Sequence, residues 1–462
     1  MRLSKLRKPI VMTTHGSLIS SLYGIGKRVG YDQALYGADT KLKYKVCNSV
    51  SIKLINKYID LIITPSELGK KVLSINNIPP YKVMIIKNFI PDKYFEKTKK
   101  AGLKLEKIEK PRKQVSEIQN LRFSDAVTAV LPTDIDDDGK EELLVGLSNG
   151  ELYLTRENKP RLLYRTKGKI NVIKVADIDK DGLLEAIIGC EDRHLYVLSL
   201  NGRLKWKFKC PHGHLGSVGY VRHVNIKDLD GDGKDEIVIA TGAWKVHVLN
   251  YKGKEIWEYE AYAWNPTFLH VCDVDSDGKS EIIVGNDYFF VHAIDSDGKL
   301  KWKYRTWRPV IYASEIDDLD GDGRKEIVLA VSDNCLHVLD SLGKLRMKVK
   351  LGGEPLDLKI ADLDRDRKKE IYVGLDNYYL YKLLSNGEIE WVRDVGNIVQ
   401  KVLLINQDLI AAVIPDGLRL YDSNGSLITF YQTSERINCA FATSRHLVIG
   451  TSKGVVKVFD IS

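Results

Sequence analysis

Five copies of one nine-residue pattern, Asp-x-Asp-x-Asp-Gly-x-x-Glu, constrain this chain more than any other feature. They stand at Asp134/Asp136/Asp138/Glu142, Asp177/Asp179/Asp181/Glu185, Asp228/Asp230/Asp232/Glu236, Asp273/Asp275/Asp277/Glu281 and Asp318/Asp320/Asp322/Glu326. A sixth copy, Asp362/Asp364/Asp366/Glu370, keeps the acids but has Arg367 in place of the glycine. Successive copies are 43, 51, 45, 45 and 44 residues apart, the length of one four-stranded module, so the chain must stack repeated units around a shared core.

Three aspartates at alternate positions, a glycine turn and a later glutamate converge on a hard cation of Ca²⁺ size, which takes six to eight oxygens at about 2.3–2.6 Å. Position seven offers a backbone carbonyl and the glutamate a bidentate carboxylate. An EF-hand would place its glutamate at position twelve between helices, whereas these loops are flanked by apolar runs of strand type. Several Ca²⁺ sites are therefore expected on the twenty acids of the five complete loops. The sixth loop is expected to be poorer, because Arg367 adds charge and a Cβ at the tight turn.

Each unit reads as four strands, for example Phe268–Val271 before a loop, Glu281–Gly285 after it, Leu336–Leu339 as a third strand and Lys301–Tyr304 as a fourth. Gly146, Gly189, Ala240, Gly285, Ala330 and Gly374 form a column of small residues that lets neighbouring sheets approach. Trp206, Trp257, Trp302 and Trp391 recur in the fourth strand and read as wedges between units. Two further units without acids follow over 399–430 and 437–459, the last one strand short, and residues 115–123 are placed to supply that strand and close a ring. The predicted fold is mainly β: an eight-bladed β-propeller over 115–462, with seven blades as the alternative. With the Asp loops and the E-I-I-V-G type strands in view, this region resembles FG-GAP repeats, the calcium-carrying blades of integrin α-chain propellers. Its fourth-strand tryptophans look like those of quinoprotein-type and outer-membrane-assembly propellers. The resemblance implies the fold and calcium, and leaves function open.

The 462 residues carry a net charge of +8 spread among acids rather than gathered in a patch, which disfavours nucleic acid as a partner. Six cysteines without a C-x-x-C pair suggest reduced, mostly buried thiols. No run of eighteen apolar residues exists, so no transmembrane segment is expected. The apolar run Ile10–Met12 is too short for a signal peptide. That reading gives a cytoplasmic protein, or an extracellular one if the N-terminus is incomplete.

Residues 1–96 alternate strand and helix patterns, as in a small parallel Rossmann-like α/β layer, and 97–114 form a lysine-rich linker. The order His15-Gly16, then Asp60-Leu-Ile-Ile-Thr-Pro-Ser66-Glu67, then Lys82 through Asn88 to Phe95 resembles the N-terminal domain of retaining GT-B glycosyltransferases of family 4 over residues 8–96. Phe89 replaces that family's usual glycine, and neither its Gly-rich loop nor its donor-binding domain is found. The chain is therefore not expected to be an enzyme on its own. Its alternative reading is a subunit or truncated form of a glycosyltransferase acting on a glycan or lipid-linked acceptor, completed by a partner domain in trans.

No H-E-x-x-H or phosphate loop occurs, and Cys210-Pro-His212-Gly-His214 reads as a surface loop. The loops opposite the Asp loops are rich in aromatics: Tyr220, Trp244, Trp264, Tyr288, Trp307 and Tyr312 form the candidate ligand surface, beside Arg222, His223, Asn265, Asp287 and Arg308. Aromatic platforms with polar neighbours suit a glycan or a protein.

Overall fold

The computed structural model describes residues 11–13, 61–64, 83–85, 116–261, 265–406 and 408–461. The chain divides into two compact units, Met1–Lys104 and Leu105–Ser462. In the first, Val11–Thr13, Leu61–Thr64 and Val83–Ile85 pair as a parallel sheet in that order, as the strand pattern predicts. The residues that carry the glycosyltransferase resemblance outside these strands, His15, Gly16, Ser66, Glu67, Asn88 and Asp92, lie outside the described residues.

The second unit is an eight-bladed propeller of four-stranded antiparallel sheets. Blades 1 to 7 span residues 127–165, 170–209, 221–260, 266–305, 311–350, 355–394 and 401–432, and blade 8 spans 437–460. Its outer strand is Ser116–Arg122, which pairs antiparallel with Val455–Asp460, so the expected closure is the one observed and eight, not seven, is the blade number. Leu121 and Val127 pack with Val448, Val456 and Val458 across this seam.

Strand position dictates burial. Second strands such as Glu236–Thr241 and Glu281–Asn286 are covered on both faces and buried at every residue, so they read as continuous apolar runs. Fourth strands lie at the rim and alternate: in Leu204–Lys209, Trp206 and Phe208 face the next blade while Lys207 and Lys209 face water. Lysines on these edges also discourage edge-to-edge pairing with other chains.

Three sets of contacts tie blades to one another. At the small-residue column there is no room for more: a Cβ on Gly146 would lie 2.6 Å from Ile170 of blade 2, and one on Gly450 2.4 Å from Val127 of blade 1. Each fourth-strand tryptophan donates its indole N–H to a turn carbonyl of the following blade, Trp206 to Tyr251 and Trp257 to Ser296 at 2.9 Å, Trp302 to Ser341 and Trp391 to Ser423 at 3.0 Å. The turn glycine rests on the ring; a Cβ on Gly253 or Gly343, both at positive φ, would lie 2.5 Å from it. In blade 5 Met347 fills the tryptophan's place against Gly387.

The innermost strands are linked all the way round by side chains. Thr128 donates to Ile170 O, Asn171 to Val221 O, His223 to Pro266 O and His270 to Ser314 O. Lys359 pairs with Glu315, Val402 N donates to Asp357 Oδ2, Lys401 to Ala440 O and Asn438 to Val127 O. Burial lowers the His223 pKa to about 4, so the ring nitrogen that bonds Pro266 belongs to a neutral imidazole. The five described cysteines are free; Cys190, Cys210 and Cys335 are buried.

Candidate metal loops and aromatic face

All six Asp loops connect the first and second strands of blades 1 to 6, and they share one architecture. The leading aspartate folds back to accept the amide at position six: Asp134 from Gly139 at 2.8 Å, Asp228 from Gly233 at 3.0 Å, Asp273 from Gly278 at 2.9 Å and Asp318 from Gly323 at 2.9 Å. That position has φ between 81° and 87° in the five complete loops. In the sixth, Arg367 adopts φ 74° and donates the same bond to Asp362 at 3.0 Å, so the loop keeps its fold despite the side chain.

The closing glutamates are buried. One oxygen of each already accepts the amide at position two, Ile135 to Glu142 at 3.0 Å, Leu229 to Glu236 at 3.0 Å and Val274 to Glu281 at 2.9 Å. A buried backbone N–H must be satisfied, and it takes one lone pair of Oε2, which also fixes the direction in which the carboxylate faces the loop. Oxygens of Asp134, Asp136 and Glu142, of Asp177, Asp179 and Glu185, and of Asp228, Asp230 and Glu236 come within 4.8 Å of one another. Asp362, Asp364, Asp366 and Glu370 also converge.

The third aspartates also help to hold the turn. In every complete loop this residue turns one oxygen back to the chain and accepts the amide two residues on. Asp138 takes it from Lys140, Asp181 from Leu183, Asp277 from Lys279 and Asp322 from Arg324, each at 2.8 Å, and Asp232 from Lys234 at 2.7 Å. The physical reason is the turn itself: the glycine at position six points the following N–H at position five, and an exposed carboxylate there caps it. Asp138, Asp181, Asp232, Asp277 and Asp322 thus each keep one oxygen for a cation, and they stand further out than the first two acids. Asp277 Oδ2 lies 3.7 Å from the Lys301 ammonium, against 2.6 Å for Asp275.

What the motif alone did not reveal is a basic side chain from the same blade reaching into most of these clusters. Lys205 lies 2.5 Å from Glu185 and 3.2 Å from Asp179. Lys301 lies 2.6 Å from Asp275 and 2.8 Å from Glu281. Arg346 pairs with Glu326 and, at 3.1 Å, Asp320. Lys382 reaches Asp364 at 3.1 Å, and Arg156 reaches Asp136 at 3.3 Å. Lys205, Lys301 and Arg346 all occupy the residue before the fourth-strand Trp206, Trp302 or Met347. Blade 3 has Ile256 there, and among the described residues no basic side chain pairs with Asp228, Asp230, Asp232 or Glu236. Burial, with Asp230, Asp232 and Asp228 adding to it, raises the Glu236 pKa. Burial works against the Lys301 ammonium, but bonds to Asp275 and Glu281 outweigh it and raise its pKa.

The donor set is all oxygen and fits Ca²⁺. Buried oxygens without a hydrogen-bond partner among the described residues, Asp134 Oδ1, Asp179 Oδ1 and Asp275 Oδ1, add to that fit, while the lysines and Arg346 compete for the same place.

Antiparallel order puts the second-to-third turns and the fourth-to-first loops on the opposite face. Trp307 is 86% exposed and Tyr288 43% exposed, both on loops, as expected. Tyr220 is half-buried in the loop before blade 3 with the Arg222 guanidinium over its ring. Tyr312 departs from the expectation: it lies inside the first strand of blade 5, and its hydroxyl donates to Glu354 at 2.7 Å, so it joins blades rather than decorating a loop. Trp264 lies outside the described residues.

A backbone feature marks this face. The third residue of the second-to-third turn is left-handed in blade after blade, and it is Gly150 in blade 1 and Gly454 in blade 8, as the geometry favours. In blades 3, 4 and 6 it is Trp244, Phe289 and Tyr378, with φ of 65°, 75° and 77°. A bulky residue at such an angle is an outlier that costs on the order of 1–3 kcal/mol. Beside Trp244 a small apolar pocket is lined by Lys245, Ala261, Pro266 and Asn286, and Arg305 stacks near Phe289.

Comparison with known proteins agrees with this architecture. Residues 228–284 match the family model described as FG-GAP-like repeat. No curated protein matches the chain. Among solved structures, the computationally designed Ika8 protein is 14% identical, covering 75% of this chain and 99% of its own, with a TM-score of 0.58. BamB from Moraxella catarrhalis is also 14% identical, over 75% of this chain and 100% of its own, with a TM-score of 0.56. Sqt1 of Saccharomyces cerevisiae is 9% identical, over 76% of this chain and 100% of its own, with a TM-score of 0.61. At these identities the likeness is one of fold: the chain carries an eight-bladed propeller with FG-GAP-like repeats.

Proposed function

We propose that the propeller is a calcium-stabilised binding module whose aromatic face takes a protein ligand. The observation that carries this reading is the set Trp244, Phe289 and Tyr378, aromatic side chains held at a left-handed turn position that is glycine in blades 1 and 8, Arg193 in blade 2 and Asn334 in blade 5. Strain that folding alone does not need is a mark of a functional surface. Exposed Trp307 and Tyr288, with Arg222, Arg305 and Arg308 nearby, supply the Trp, Tyr and Arg composition of interface hot spots. Calcium enters as a stiffener of the Asp-loop face, first at Asp228, Asp230 and Glu236, with which no basic side chain pairs among the described residues.

The experiment pairs stability with binding. Phe289→Gly and Tyr378→Gly should change stability by no more than about 1 kcal/mol, since relief of strain offsets the lost contacts. The same variants, and Trp307→Ala, should lose partners captured by cross-linking from cell extract. A glycan array probed alongside, with and without calcium, reads the carbohydrate alternative. Full capture by all three variants, with no glycan retained, would remove the aromatic face as a binding surface.

A further inference from the structure

Blade 3 departs from its neighbours at several positions that meet in space. Where blades 2, 4 and 5 have Leu204, Leu300 and Leu345 on the fourth strand, blade 3 has Glu255; where they have Lys207, Lys303 and Lys348, it has Glu258. Both glutamates stand against His247 of the third strand. Its Nδ1 lies 2.6 Å from Glu255 Oε1 and 3.8 Å from Glu258 Oε2.

The corresponding histidines of the next two blades are spoken for. Nδ1 of His292 bonds the hydroxyl of Tyr259 at 2.9 Å, and Nδ1 of His337 that of Tyr304 at 2.9 Å, each tyrosine coming from the preceding blade. The residue in that place before His247 is Phe208, whose ring packs 5.6 Å from the imidazole and has no hydroxyl to offer. Loss of the tyrosine hydroxyl and gain of two carboxylates thus coincide on the same ring nitrogen. The imidazole is fully buried, its Nε2 has no partner among the described residues, and the glutamate side chains are 36% and 44% exposed on the solvent side.

We propose that His247, Glu255 and Glu258 form a site for a zinc-class divalent ion on the outer edge of blade 3, separate from the Asp loops. One nitrogen and two carboxylates within 4.8 Å of each other surround a space that an ion with bonds of about 2.0–2.2 Å fills after small side-chain shifts. An imidazole donor selects zinc, cobalt or nickel over calcium and magnesium. Lys245, 2.6 Å from the other oxygen of Glu258, holds that carboxylate in place, and the open side leaves room for water.

The test uses the full chain, stripped by chelator and returned to millimolar calcium so that the Asp loops are not available to the probe. Titration with zinc should show one equivalent bound, and cobalt should give visible bands of a nitrogen-containing low-coordinate site. Glu255→Leu with Glu258→Lys installs the residues of blades 4 and 5, a combination the fold already accommodates, and should abolish that equivalent. Phe208→Tyr should weaken it roughly tenfold or more by returning a hydroxyl to Nδ1, while Asp230→Ala should leave it intact. No zinc uptake by the parent, or undiminished uptake by the double variant with an unchanged melt, overturns the proposal.

Discussion

Blades 3 and 4 are built on one skeleton, but their rim strands carry opposite charge. Both bury a six-residue second strand completely, both lodge a tryptophan under the next blade's turn, and both close an Asp loop with a buried glutamate. On the rim strand, however, blade 4 reads Lys301, Lys303 and Arg305 where blade 3 reads Ile256, Glu258 and Glu260. Packing fixes the skeleton because any change there opens a cavity or a clash. Edge positions are free to vary, so they are where one repeat acquires chemistry that its neighbour lacks.

The shared half of the comparison is tested by the largest effect. Trp257→Ala and Trp302→Ala each remove a large ring and an indole hydrogen bond from the same kind of inter-blade seat. Each should cost about 3–5 kcal/mol in denaturant unfolding, and by similar amounts. A gap of several kcal/mol between the two would mean the blades do not share one mode of packing.

Much of this skeleton was legible in the sequence, because it is written in residues whose role does not depend on neighbours. A period near 45, the small-residue column, the tryptophans and the stranded segment at 115–123 were enough to give eight blades and the closure. The parallel strands of the first unit were also readable from their apolar runs. The cations in the loops were not. Lys205 and Lys301 lie 20 residues past the glutamates they meet, and the contact depends on a bulge in the third-to-fourth strand pairing, at Val197/Leu198 and Ala293/Ile294, that sequence spacing does not display. Nor does alternate spacing show that Asp275 lies nearer the Lys301 ammonium than Asp277 does. The left-handed aromatics were hidden for a similar reason: an aromatic at a turn looks like any exposed ring until its φ is known. Tyr312 was misplaced because a strand that begins one residue early turns a loop side chain into an interface one.

The difference between the blades predicts opposite responses to one kind of substitution. Lys301→Ala strands Asp275 and the buried Glu281 without a counter-charge, at a cost of roughly 2–4 kcal/mol in the presence of chelator. Excess calcium should restore most of the loss, since an ion can then occupy the vacated place. Thermal melts of parent and variant, each with chelator and with calcium, provide the check; a loss that calcium does not reduce would show that Lys301 acts by packing and not as a counter-ion.

Acid next tests the junction between these two blades. Burial lowers the His292 pKa to about 4 from its ordinary 6.5, and its Nδ1 accepts the Tyr259 hydroxyl. A depressed folded pKa means that this contribution is complete above 6.5 and is lost as the pH falls toward 4. His223 has the same sign, burial lowering it to about 4 as well. Unfolding free energies of the parent should therefore drop on the order of 1–3 kcal/mol more than those of His292→Gln between about pH 7 and about pH 4.5. Parallel pH profiles for the two proteins would rule out His292 as a group that resists protonation in the fold.

The smallest effect is the most discriminating, because it asks whether one side chain converts blade 3 into blade 4. Ile256 is 50% exposed, so replacing it removes little from the core, and Ile256→Lys sets an ammonium where Lys301 stands in the next repeat. Without calcium the new charge should ease the repulsion among Asp228, Asp230, Asp232 and buried Glu236, raising stability by about 1 kcal/mol, as expected of a partly exposed ion pair. With calcium the sign should reverse. The lysine now competes with the ion, calcium binds the variant more weakly, and the rise in melting temperature sets in at higher calcium than in the parent, as mass action requires. A calcium titration of the melt in both proteins reads both halves at once. If Ile256→Lys raises the melt equally at every calcium concentration, the third loop does not hold the ion that its missing counter-charge invites.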